Sequence, residues 1–240
     1  MLPWDLTPLR AVAGPRVIAA APEADADRLA GALAAAEKAA AVADRFARWD
    51  PPPKRYVVYL AGPDEWHTWW NGEGEDGDGY AEGPYGIEIR TSLDEDHGRT
   101  ALLTHELTHV VTISDQYGDD GDWWLYEGLA EYAADHNGAW TRDRLPYVRQ
   151  YIKAGRWDGS ITLGATPSDA TPEDSTALYG LALLAVSCLA KRFGEDHMLD
   201  FFAAVVRGYR TLEVASTTAF GTPWPPVAAD CAAEIRARTT

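Results

Sequence analysis

Hydrophobic and polar residues follow two rhythms along this chain. Up to Arg90, short apolar runs bounded by proline and glycine predict strands. They are Arg16-Val17-Ile18-Ala19-Ala20, closed by Pro22, and Arg55-Tyr56-Val57-Val58-Tyr59-Leu60, closed by Ala61-Gly62-Pro63. A third, Gly86-Ile87-Glu88-Ile89-Arg90, alternates like a strand with one buried face. Between the first two, the Ala-rich run from Asp25 to Trp49 predicts a helix with acidic residues in its first turn, stopped by Pro51-Pro52-Pro53. A short helix is expected through Asp64 to Trp70. Beyond Arg90 the pattern is helical, with helices predicted at 98–113, 122–136, 141–154, 173–193, 195–207, 211–219 and 225–238. The expected fold class is α+β and mostly helical, with a small N-terminal sheet and a helical C-terminal lobe. With no internal repeat or low-complexity linker, the simplest organisation is one unit over 1–240, an α/β lobe at 1–97 and a helical half at 98–240.

Composition narrows the function classes. The 37 Asp+Glu against 21 Lys+Arg give a net charge of −16, which argues against a partner that is tracked by its phosphates, such as a nucleic acid. An anionic membrane surface is disfavoured for the same reason. The 10 Trp and 11 Tyr exclude a disordered acidic tail. The apolar stretch Ala177 to Ala190 is too short to span a bilayer and reads as a buried helix, so no transmembrane segment is expected. The first residues, MLPWDLTPLR, lack the basic stretch and apolar run of a signal peptide. An extracellular or cell-envelope location would therefore require a leader or anchor removed beforehand. Cys188 and Cys231 form no metal motif and are too few for a disulfide scaffold. They are read either as small core residues or as a pair brought together by docking of the last helix.

The chemistry is concentrated in His105-Glu106-Leu107-Thr108-His109. Two histidines four apart on a helix share a face, so both imidazoles can reach one ion. Glu106 stands beside the first of them, where a carboxylate can take a proton from a water and return it to a leaving amine. A match of this kind arises by chance in roughly one chain in a hundred of this length, so its surroundings decide its weight. A di-iron bundle would need a second Glu-x-x-His, and His136 and His197 have Ala133 and Gly194 three residues before them. The next helix, Asp122 to Tyr132, carries Glu127 among apolar and aromatic residues. A buried carboxylate without a partner is costly, and a catalytic zinc wants three protein ligands with one position open. Gly128 beside it is a poor helix former unless a close neighbour needs the space. Glu131, one turn on, is placed to accept a hydrogen bond from the outer nitrogen of a ligand histidine.

His105 to His109, and Trp124-Leu125-Tyr126-Glu127-Gly128-Leu129-Ala130-Glu131-Tyr132 with seventeen residues between His109 and Glu127, resemble the gluzincin zinc metallopeptidases with short peptidase-MA-like domains. The resemblance is strong over 101–134, fair to about 209 and faint before 85. It implies a Zn2+ cofactor held by His105, His109 and Glu127, with Glu106 as general base and a peptide or protein as substrate. Metzincins would continue with a glycine and a third histidine, where this chain has Ile113-Ser114-Asp115. Tyr179, ahead of Phe193-Gly194-Glu195, resembles the family's tyrosine that stabilises the tetrahedral oxyanion; a core tyrosine at a helix start is the alternative. Strand 86–90 resembles the family's edge strand, on which an extended peptide can pair. It lacks the Gly-x-x-Glu-Asn signature of the aminopeptidases, which counts against cleavage from a free amino terminus.

Two other function classes compete. One is a zinc-holding domain that binds without turnover, against which Glu106 speaks; the other is a carbohydrate-facing surface built on Trp66, Trp69, Trp70, Trp123 and Trp124. His67, His97, His136 and His197 read as surface or capping residues. The acidic loops at 71–79 and 115–122 match no calcium-loop pattern and read as solvated lids. With 94–96, they would favour basic or neutral peptides over acidic ones.

Overall fold

In a computed structural model, residues 3–69, 79–82, 86–90, 97–113, 120–135 and 138–239 are described. The chain divides into two compact units, Met1–Asp115 and Gln116–Thr240. The helix that carries His105 belongs to the first unit.

The first unit is built on a five-stranded sheet: β1 (Leu9–Ala13), β2 (Val17–Pro22), β3 (Tyr56–Ala61), β4 (Gly79–Glu82) and β5 (Gly86–Arg90), in the order β1-β2-β3-β5-β4. β2, β3 and β5 run parallel, and the two outer strands pair antiparallel with their neighbours. β5 is therefore an interior strand. This corrects its reading as the edge: β4 pairs along it from Gly79↔Ile89 to Glu82↔Gly86 and is the outer strand among the described residues.

β2 and β3 are buried along nearly their whole length, as parallel strands covered on both faces are. On one face Ala20, Tyr59 and Ala61 pack with Trp66 and Trp69 of α3 (Pro63–Trp69), and the Trp69 indole donates to the Thr7 hydroxyl at 3.1 Å just beyond α1 (Pro3–Leu6). α2 (Leu29–Ala43) packs against β1, β2 and β3 and also carries α4 (His97–Thr112). Its buried positions Leu29, Ala32, Ala35, Ala36, Ala39, Ala40 and Ala43 form a helical stripe of almost nothing but methyl groups. Such a stripe lets another helix come close. The helix is shorter than predicted because 3-10 turns flank it at Glu23–Arg28 and Asp44–Phe46.

Asp44 is engaged sideways at that point. Its carboxylate accepts from Arg16 Nη2 at 2.7 Å, Arg16 Nε at 3.1 Å and the Tyr56 hydroxyl at 2.7 Å. Arg16 also donates to the Pro53 and Lys54 carbonyls, at 2.6 Å and 2.5 Å. Burial, with the Asp44 acceptor adding to it, pushes the Tyr56 phenol well above its usual pKa. One carboxylate thus ties the end of α2 to the starts of β2 and β3.

The second unit gathers α5 (Trp123–Ala134), α6 (Ala139–Lys153), α8 (Glu195–Phe202) and α10 (Trp224–Thr239) around α7 (Pro172–Phe193), with α9 (Leu212–Phe220) packed on α8 and α10. α7 begins on a Thr171 cap that accepts from the Asp174 amide at 3.2 Å, followed by Pro172. By length and composition α7 could cross a membrane, yet Leu181 to Val186 and Leu189 are buried among the other helices. α8 widens into a π-helical turn over Ala203–Arg207, which closes on the Gly208 amide. Phe193, Phe220, Phe201 and Trp224 stack in sequence at centroid distances of 4.1, 5.0 and 5.2 Å, and Trp224 meets the buried Trp124 at a tilt, 5.8 Å away. Cys188 of α7 and Cys231 of α10 are joined in a disulfide. Trp66, Trp69, Trp123 and Trp124 are all buried core residues, which removes four of the five tryptophans proposed as a carbohydrate surface; Trp70 lies outside the described residues.

Asp44→Ala leaves Arg16 and Tyr56 without their shared acceptor, and is expected to lower unfolding stability by about 1–3 kcal/mol. Denaturant titration of the variant against the parent measures it.

Candidate metal centre

α4 must bury polar residues on a helix that lies against the alanine stripe of α2. It does so with local bonds. The hydroxyls of Thr104, Thr108 and Thr112 each donate to the carbonyl four residues earlier, at 2.8, 2.7 and 2.7 Å. Beside this ladder stand the two histidines, their rings edge to face with centroids 4.7 Å apart and their Nε2 atoms 3.0 Å apart. Zinc–nitrogen bonds of about 2.0–2.1 Å drawn from those two atoms can meet at one ion. His105 is 6% exposed and Glu106, next to it, 7%.

α5 supplies the carboxylate. One ligand atom from each of His105, His109 and Glu127 lies within 4.8 Å of the others, a grouping that could hold a metal ion. Two imidazoles and a carboxylate are the donor set of a catalytic zinc site, and three protein ligands leave a position for water or substrate. The residues present fit the ion that the sequence implied.

Gly128 explains itself in the packing of α5 on α7. A Cβ there would stand 2.6 Å from the Ala182 carbonyl oxygen and 2.7 Å from Val186 Cγ2. Gly180 does the same between α6 and α7: its Cβ would meet Val148 Cγ2 at 2.6 Å and Arg144 Cβ at 3.1 Å.

Glu131, at 1% exposed, has Arg144 and Trp140 of α6 as partners. Arg144 Nη2 donates to Oε1 at 2.7 Å and Nε to Oε2, and the Trp140 indole donates to Oε2 at 2.5 Å. Tyr179, half-buried in α7, meets the Trp123 ring edge-on at 5.1 Å and lies 5.9 Å from the Arg144 guanidinium. His67 and His197 are exposed, as a surface role requires. The side chain of His97, all of His136, and the acidic segments at 71–78, 94–96 and 115–119 lie outside the described residues.

No protein-family model and no curated protein matches this sequence. Solved structures do. The M1 zinc metallopeptidase from Deinococcus radiodurans aligns with 96% of this chain and 51% of its own, at 17% identity and a TM-score of 0.51. A mutant two-domain M1 zinc metallopeptidase bound to L-arginine aligns with 96% and 51%, at 15% identity and a TM-score of 0.53. The fold is gluzincin-like. Yeast LTA4 hydrolase in complex with bestatin is also similar, at 16% identity and a TM-score of 0.52, over 84% of this chain and 33% of that one. The chain thus spans about half the length of the M1 enzymes it resembles and a third of the yeast protein.

Sequence reasoning missed Arg144 and Trp140. A buried Glu131 demands a cation, but α6 carries Arg142, Arg144 and Arg149, and nothing in their spacing selects the middle one.

Gly128→Ala places a methyl group against the α7 backbone. It is expected to lower stability by about 1–3 kcal/mol, read as a fall in the thermal unfolding midpoint.

Proposed function

We propose that this chain is a zinc-dependent metallopeptidase whose metal is held by His105, His109 and Glu127. The grouping of those three donors on a gluzincin-like fold carries the reading. When bound, zinc supplies a Lewis acid for the scissile carbonyl and acidifies a water. The chain's own groups do the rest. Glu106 takes the proton of the attacking water and delivers it to the leaving amine; its burial beside His105 holds the carboxylate out of bulk solvent. Tyr179 donates its phenolic proton in a hydrogen bond to the oxyanion as the carbonyl becomes tetrahedral, its ring held by the edge of Trp123. Glu131 is a supporting carboxylate one turn beyond the ligand Glu127.

The substrate is a peptide or protein. Among the described residues the short β4, not β5, is the outermost strand on that side of the sheet, and an extended chain could add there by backbone pairing. The Cys188–Cys231 disulfide favours an oxidising compartment, extracellular or in the cell envelope.

Glu106→Gln is nearly isosteric and cannot accept the proton. It is expected to keep the metal, measured by elemental analysis, and to lose about 10²–10⁴-fold in peptide hydrolysis. Full residual activity removes Glu106 from the role. Stripping the wild-type chain with a strong chelator is expected to abolish hydrolysis, and one equivalent of zinc to restore it.

A further inference from the structure

The buried ion pair behind the ligand helix has features beyond charge neutralisation. Glu131 is almost fully buried on α5, one turn from Glu127. Arg144 meets it fork to fork, one nitrogen on each carboxylate oxygen, and the Trp140 indole adds a third donor. The guanidinium is itself confined. Its carbon lies 4.4 Å from the Trp140 ring centroid and 5.9 Å from that of Tyr179, and Arg144 is only 17% exposed. One side chain of α6 therefore touches the carboxylate helix α5 through Glu131 and the tyrosine helix α7 through Tyr179. The backbone is shaped to allow it, because Gly180, adjacent to Tyr179, is where the stem of Arg144 presses on α7.

We infer that Arg144 is a positioning residue of the metal centre. Resting on the zinc reading above, it fixes the turn of α5 that bears Glu127 and the placement of the Tyr179 ring through one planar guanidinium. Lysine cannot replace it. An ammonium keeps the charge but loses the bidentate fork and the flat face that lies against the two rings.

Arg144→Lys and Trp140→Phe test this. The first preserves charge, and the second preserves the ring while deleting one hydrogen bond to Glu131. Zinc affinity is measured by chelator competition, kcat and KM on a peptide substrate, and folding by circular dichroism and thermal unfolding. Arg144→Lys is expected to remain folded and to bind zinc about 10–100-fold more weakly, the range for loss of a group that orients a ligand. At saturating zinc kcat should fall while KM stays near its wild-type value, since Tyr179 acts on the oxyanion and not on ground-state substrate. Trp140→Phe should shift zinc affinity in the same direction by less, and it carries the test if Arg144→Lys fails to fold. Wild-type zinc affinity in a folded variant overturns the positioning role, as does a rise in KM with kcat unchanged. A wild-type chain that holds no divalent ion defeats the zinc reading instead, a result told apart because it appears before any variant is made.

Discussion

The proposed role of the second unit depends on how closely α5 lies against α7. At Gly128 the two backbones approach until a single methyl group would strike the Ala182 carbonyl. That proximity is paid for in helix propensity, since glycine costs about 0.8–1.0 kcal/mol against alanine in a helix interior. In return, Glu127 sits on a helix that cannot shift without moving the buried core helix of the unit. Gly180 repeats the arrangement beside Tyr179, where α6 meets α7. Each glycine is the immediate neighbour of a residue with a proposed chemical role. The spine of the unit is thus tightly packed beside Glu127 and Tyr179.

The first unit solves a different problem with small groups. α4 carries His105 and Glu106 into a buried setting, and a helix with so many polar residues would ordinarily need partners from outside. Its threonine hydroxyls donate within their own helix, and the helix lies against α2, whose buried face is mostly alanine. Neither device competes for the histidine nitrogens. Both imidazoles keep their Nε2 atoms turned to one another at 3.0 Å, a spacing that suits a shared ion.

Much of this was legible in the sequence, for reasons that differ by element. The helices after Arg90 lie within a few residues of their expected spans, and caps and breakers stand at several of their ends: Thr171-Pro172 at the start of α7, Gly194 at its end, Gly221 after α9. The His105/His109 pairing follows from helical period alone, and the purpose of Gly128 could be guessed from its cost. What stayed hidden depends on partners distant in the chain. β1 and β4 are short strands that exist because β2 and β5 offer them an edge, and Leu9 to Ala13 shows no strand pattern of its own. The tryptophans looked available for a ligand because sequence shows aromatic character but not which ring lies beneath which. Arg144 was hidden for the same reason, as one of several arginines on α6 singled out only by the position of Glu131.

The disulfide between Cys188 and Cys231 spans 43 residues and encloses the C-terminal end of α7, all of α8 and α9, and the start of α10. It makes that stretch a covalent ring hung on the core helix. A single backbone cut inside the ring leaves one molecule, with both new ends tethered to helices already packed together. For a protein proposed to cut peptide chains, such topology is a form of damage tolerance. A nick in the turns around Gly208 or Gly221 opens the ring without releasing any part of the fold.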